Sequence, residues 1–450
     1  MEALLAQAKE LREAVIDFVL DAEGDLAVAL ESYSAAKLAQ ISKSPQQTGS
    51  LRELVMTLFL LEGQVGEQTP LQVFMQEQAS LSANDRTLIQ NWSRTFMGLF
   101  EVMQVLPDGF ELMSWTTAKH YQVKEQDPRE QERLARLKAG DILLAPIAPV
   151  TDDAWMFFHP PALLGKLGKP KLAVAIGSFK DNYKNYLYSD APELLAEAWK
   201  SVARYHEEFV EFFGSEELTL PGYQLDKKLA EFQKVITERR FEAAGIDPSK
   251  SLEELATEAG LSDDEIAEAA EAMGADPKTL TDLKAGKQPE MVAPKIALPD
   301  ALKKADQVTM LSHPHWGQLF LSRYPVLKAL LVAEDWQSGP NAAKVVRQAL
   351  EDLEMNAFVW HRLAEQFPQS LENVLQTVLD RPTFNLQTDL DEVLQEFGKP
   401  IKPELPETAS VPIHLNDLFQ DALLEVHKSK KDSQPKEKSK RKAAAGFRQR

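Results

Sequence analysis

The densest group of side chains able to do chemistry is His313-Pro314-His315, followed by Trp316 and Gly317. Two neutral imidazoles two positions apart can share a metal ion. A catalytic zinc takes three protein ligands, however, and neither a His-Glu-x-x-His run nor a cysteine supplies the third. His313 and His315 are the candidate ligands, but no metal and no other cofactor is expected, because Pro314 and Gly317 mark a structured turn. His159, ahead of Pro160-Pro161, and His361, after Trp360, read as packing residues.

The basic residues form two groups. Lys166, Lys169, Lys171, Lys180 and Lys184 interleave with Tyr183, Tyr186 and Tyr188, and Asp181 is the one acid among them. Cations for phosphates and rings for base stacking, set on a sheet edge, are what single-stranded nucleic acid needs. Lysines scattered along an edge strand also serve simply to prevent edge-to-edge pairing. The second group is the C-terminal segment with Lys428, Lys430, Lys431, Lys436, Lys438, Lys440, Arg441, Lys442, Arg448 and Arg450. Its ten cations against Asp432 and Glu437 give +8, so residues 1–427 carry −27 of the total −19. With Phe447 as its one aromatic, this tail is expected to be disordered. Each cation near a phosphate releases a counterion, so the tail can hold RNA or a ribosome in a salt-sensitive, sequence-blind way. Charge alone equally allows it to fold back on the acidic body.

Catalytic signatures are missing. Gly165-Lys-Leu-Gly168-Lys169-Pro170 lacks phosphate-loop spacing, and its proline removes a cradling N–H. There is no Gly-x-Ser-x-Gly elbow and no dinucleotide fingerprint. The absence of cysteine excludes disulfides, iron–sulfur clusters and thiol nucleophiles. Leu252 to Ile266 looks like the first two helices of a helix-turn-helix, but Asp263, Asp264, Glu265, Glu268 and Glu271 on the second would repel phosphates. The segment therefore reads as an acidic helical module that packs on a neighbour or a basic partner.

Periodicity places these residues. Leu4, Leu5, Ala8, Leu11, Val15, Phe18 and Val19 open a helical section, 1–92. Thr69-Pro70 and Ser82 carry helix-start chemistry. The period then changes, and Phe96–Val105, turning at Pro107-Asp108-Gly109 into Phe110–Trp115, signals a hairpin. Tyr121–Lys124, Asp141–Ala148, Ala154–His159 and Leu172–Ile176 are further strand candidates, so 93–190 reads as a small antiparallel β-rich sheet or barrel. Helices return over 191–246, followed by the acidic module 247–287, a linker 288–300, a helical domain 301–427 and the basic tail 428–450. The fold class is α+β and mostly helical. The chain starts without a secretion signal, and no apolar run approaches the ~20 residues of a membrane span, so a cytoplasmic protein is expected.

Thr69-Pro-Leu-Gln-Val-Phe74, Leu81-Ser-Ala-Asn-Asp85, Trp92, Gly98-Leu-Phe-Glu-Val102, Tyr121-x-Val123, Ala139-Gly-Asp-Ile-Leu143 and Trp155 resemble a set of uncharacterised bacterial proteins, most closely the cyanobacterial members. The resemblance runs over residues 69–160 and implies the same helical-then-β organisation, with no activity attached to any residue. The expected function is that of a non-enzymatic interaction protein attached through its basic tail to RNA, a ribosome or another polyanion, or to an acidic protein. One alternative is a protein-binding assembly or adaptor factor using the acidic module. The other is a metal-dependent enzyme built on His313, His315 and carboxylates.

Overall fold

The computed structural model describes residues 1–41, 51–125, 128–243, 291–293, 296–333, 335–338 and 341–432. The acidic module 247–287 lies outside them. The chain divides into two compact units, one of residues 1–192 with 414 onward, the other of residues 193–413.

The first unit opens with five helices, α1 Glu2–Leu20, α2 Gly24–Ile41, α3 Leu51–Glu62, α4 Pro70–Glu77 and α5 Ala83–Asn91. Leu5, Ala8, Leu11, Val15 and Val19 of α1 fall on one stripe and are buried. Thr69 and Ser82 both form capping boxes, each side chain accepting from the N–H three residues on while Gln72 or Asp85 reaches back. These caps fix where α4 and α5 begin, and hence how Trp92 and Phe74 enter the helical core.

Six strands follow: β1 Phe96–Leu106, β2 Gly109–Ser114, β3 His120–Lys124, β4 Ile142–Pro149, β5 Ala154–Phe157 and β6 Ala162–Gly165. β1 is long enough to serve two neighbours. Its first half pairs with β4, from Phe96 opposite Ile147 to Glu101 opposite Ile142, and its second half pairs with β2. A register shift between Val102 and Gln104 bends the strand where it changes neighbour. β2 pairs with β3, β3 with β5 and β5 with β4, so the order β1-β2-β3-β5-β4 closes on itself. β3 and β5 run parallel, with Gln122 opposite Ala154 and Lys124 opposite Met156. The helix α6, Pro128–Leu134, lies between β3 and β4 in sequence, and its Leu134 joins the barrel core. Ring order, one parallel pair and a helix between the third and fourth strands together make the topology of an OB barrel. β6 adds to the free edge of β4.

Aromatic edges fill the barrel. Tyr121 and Trp155 meet at 5.0 Å between ring centroids, and Phe96 touches both. Gly109 is obligatory at the β1–β2 turn: its φ is +155°, and a Cβ there would lie 2.0 Å from the Val123 oxygen. The run Leu172–Ile176 is a helix, not the expected strand. It belongs to α7, Lys169–Asn182, whose Leu172, Ala175, Ile176 and Phe179 fall at i, i+3, i+4 and i+7 and pack on the barrel.

In the second unit α8 Pro192–Phe213 leads to β7 Glu217–Leu220 and α9 Gly222–Ala243. β8 Met291–Val292 comes from the proline-rich stretch and pairs with β11 Val411–Pro412. A hairpin of β9 Val308–His313 and β10 Gly317–Leu321 joins β7 in the antiparallel order β10-β9-β7. Five helices close the unit: α10 Tyr324–Val332, α11 Ala342–Glu351, α12 Ala357–Gln366, α13 Pro368–Leu379 and α14 Leu386–Glu396. Asn385 caps α14, accepting from Gln387 N at 2.9 Å. Alternation divides the small sheet between two cores. Val308 and Met310 face α8 and α9, and Leu311 and Leu321 face α10–α14. Lys399, 1 % exposed, donates to the main-chain oxygen of Asp352 at the C-terminus of α11, where a cation suits the helix dipole. The last helix, α15, Ile413–Asp432, belongs to the first unit.

No helix among the described residues is long and apolar enough to cross a membrane.

Candidate polyanion interface

The basic tail is approached through α15. Leu415, Leu418 and Ala422 are spaced i, i+3 and i+7 and are buried, and the two leucines join the barrel core. His414 Nε2 donates to the main-chain oxygen of Trp115 at 2.8 Å, and burial holds its imidazole below the usual histidine range. Asp421 takes Lys169 of α7 at 2.5 Å. Burial also raises the Asp417 carboxyl. The helix continues past the expected domain end at 427, through Lys428, Lys430 and Lys431 to Asp432. Lysine is a good helix former, and cations in a last turn complement the partial negative charge of the final carbonyls. The tail thus begins as helix. Lys436, Lys438, Lys440, Arg441, Lys442, Arg448 and Arg450 lie outside the described residues.

The outer wall of the barrel is not itself basic. On β2 and β3, His120 Nδ1 is 2.9 Å from Glu111, and Lys124 is 2.8 Å from Asp108. At the opposite end the Arg94 guanidinium sits 5.5 Å from the Trp155 ring centroid and pairs with Asp190 at 3.1 Å. These cations are held by carboxylates of the same unit, so β2 and β3 offer phosphates little.

The lysine and tyrosine patch does not assemble as a stacking surface. Lys169, Lys171 and Lys180 lie on α7, Lys166 precedes it, and Lys184 and Tyr186 share the 3-10 turn Lys184–Tyr186. Tyr183 and Tyr186 are buried in the barrel core, and Tyr188 is half-buried. Burial raises the hydroxyl pKa of Tyr186 and Tyr188, the latter to about 12. The expected sheet edge is a helix, and the turn that follows it carries Tyr183 and Tyr186 into the barrel core. Lys166 and Lys171 remain exposed.

His313 and His315 sit at the β9–β10 turn. His313 Nδ1 accepts from the main-chain N–H groups of His315 at 3.0 Å and Trp316 at 3.2 Å. A nitrogen that accepts two N–H bonds carries no proton, so the imidazole is neutral with its hydrogen on Nε2. The ring therefore closes the turn as an Asx side chain would. Burial, with His315 and His206 nearby, pushes its pKa down to about 4. His206 of α8 approaches from the side, its ring centroid 6.4 Å from that of His313 and its Nδ1 3.2 Å from the Ser312 hydroxyl. Ser312 is fully buried and also receives Gln318 Nε2, which makes the pair a satisfied core contact rather than an exposed nucleophile and base. Among the described residues no group of three or more His, Asp or Glu is placed to hold a metal.

The polar network of the second unit that was not foreseen joins Arg362 of α12 to Glu216 at 2.6 Å and Glu217 at 3.2 Å. Lys328 reaches Glu217 at 2.7 Å, and the Tyr324 hydroxyl donates to Glu217 at 3.3 Å. In the sequence, Glu216-Glu217 and Arg362 are unremarkable charges separated by a long stretch of chain. Searches against family models, characterised proteins and solved structures find no match for this chain.

Proposed function

We propose that the chain is a non-enzymatic interaction protein that binds RNA, free or within a ribosome, through its basic segment 428–450. In this reading the barrel unit is the body on which the segment is carried. The observation that supports it is the seating of α15: a helix anchored to the barrel by Leu415, Leu418 and His414 leads directly into Lys428, Lys430 and Lys431. A cationic segment fixed at one end loses less freedom on binding than a free one, and it holds the barrel next to whatever the segment grips. OB topology alone is compatible with many ligands, so it adds only a fold-level analogy. His313 Nδ1 accepts two main-chain N–H groups of its own turn, which supports reading it as a structural residue.

The test is binding of a single-stranded RNA across a salt series, comparing the full chain with one ending at His427. Log affinity of the full chain should fall with log salt by roughly 0.7 for each phosphate neutralised, and the shortened chain should bind at least tenfold more weakly. Equal affinity of the two chains would end the proposal.

A further inference from the structure

A cleft of about 350 Å³ opens between α1 and the barrel, beside the parallel pair β3 and β5. That volume lies in the range of small-molecule sites. Its floor is apolar, with Leu5, Met156 and Phe157, and its polar rim includes Arg12 of α1, Lys124 and Glu130.

The charges of the rim are unevenly answered. Lys124 is neutralised by Asp108 at 2.8 Å and Glu130 by Arg133 at 2.8 Å. Among the described residues Arg12 meets no carboxylate: its Nη1 donates to the main-chain oxygen of Phe158 at 3.2 Å and of Phe157 at 3.5 Å, and its Nε is buried without an acceptor there. A guanidinium offers five N–H donors in a planar fork, and a buried one left unmatched is costly. Two main-chain oxygens orient the group without balancing its charge. The geometry points to a binding site for a small organic monoanion, its carboxylate on Arg12 and its apolar body over Leu5, Met156 and Phe157. With Lys9, Arg12 and Lys124 against Glu125 and Glu130, the lining carries one net positive charge, which a monoanion balances and a dianionic phosphate exceeds. The stripe Leu5 and Arg12 at i and i+7 places the anion partner and part of the apolar floor on one face of one helix.

The experiment titrates full-length protein, methyl-labelled at methionine, with hexanoate and separately with hexanol. Hexanoate should shift the Met156 methyl resonance saturably, with hexanol at least tenfold weaker, and Arg12→Gln should weaken hexanoate at least tenfold. Because Arg12 also braces β5, Ala6→Trp serves as a second variant: Ala6 is exposed and lines the cleft, so the indole fills the space without entering the core. It should abolish the shift while the Met310 and Met355 resonances stay in place. No saturable shift, equal response to the alcohol, or undiminished binding in Ala6→Trp would each overturn the proposal.

Discussion

His414 Nε2 lies 2.8 Å from the main-chain oxygen of Trp115, joining the first turn of α15 to the residue that follows β2. Trp115 precedes His414 by almost three hundred residues, a separation of 299. The last helix is therefore held by a polar contact at its start and by Leu415 and Leu418 along its length.

Leu418→Ala should cost about 2–4 kcal/mol, the usual price of a truncated core leucine, and His414→Ala about 1 kcal/mol for one hydrogen bond. Amide exchange should accelerate across 413–432 in both variants, more in the first. Unchanged protection of that helix in Leu418→Ala would show that its burial does not anchor it.

The β9–β10 turn should weaken in acid. The folded pKa of His313 is about 4, against 6.5 for a free imidazole, so between those values the unfolded chain binds the extra proton. Stability is thus complete above pH 6.5 and declines as pH falls toward 4. Discounted for the half-exposure of the ring, the loss from pH 7 to pH 5 should be about 1 kcal/mol. His313→Asn keeps an acceptor for the two N–H groups without titrating. Denaturant midpoints of the second unit at both pH values should converge in that variant.

Two arginine ion pairs should behave differently. Arg362 and Glu217 are 16 % and 17 % exposed, so Arg362→Met leaves Glu217 with Lys328 as its remaining cation and should destabilise the second unit by about 1.5–3 kcal/mol. Arg381 and Glu396, at 44 % and 42 % exposed, lie in solvent, and Arg381→Met should leave the denaturation midpoint where it was. Equal effects of the two substitutions would contradict the burial argument.

Gly109→Ala should destabilise the barrel by about 3 kcal/mol or more, because its Cβ has no room beside the Val123 oxygen and its φ lies outside the range L side chains favour. Loss of near-ultraviolet signal from the buried Trp155 and Tyr121 would report it.

Local signals in the sequence carried well where one residue decides the outcome. Thr69 and Ser82 start their helices as their side chains require, and Pro107-Asp108-Gly109 turns β1 into β2. They failed where an apolar run fits two periods. Leu172–Ile176 is apolar at every position, and only Phe179 at i+7 from Leu172 distinguishes helix from strand. Glu217–Leu220 was not seen because it is short and its partner β9 lies far along the chain, so its pairing has no local signal. The parallel contact of β3 with β5, which closes the barrel, is hidden for the same reason. For the proposed interface, the cations were legible from composition. The helical start of the tail and the burial of Tyr183 and Tyr186 depend on packing that spacing alone does not reveal.

Because α15 belongs with residues 1–192, the second unit interrupts the first in the order of synthesis. A ribosome that has finished α7 must still make about 230 residues before the helix bearing Leu415 and Leu418 can emerge, which at 5–20 residues per second takes roughly 10–45 seconds. During that interval the barrel has an uncovered apolar strip, and the second unit has time to fold before the first is complete. The basic residues from Lys428 onward follow Leu415 and Leu418 in the chain, so they leave the ribosome after the residues that cover the strip.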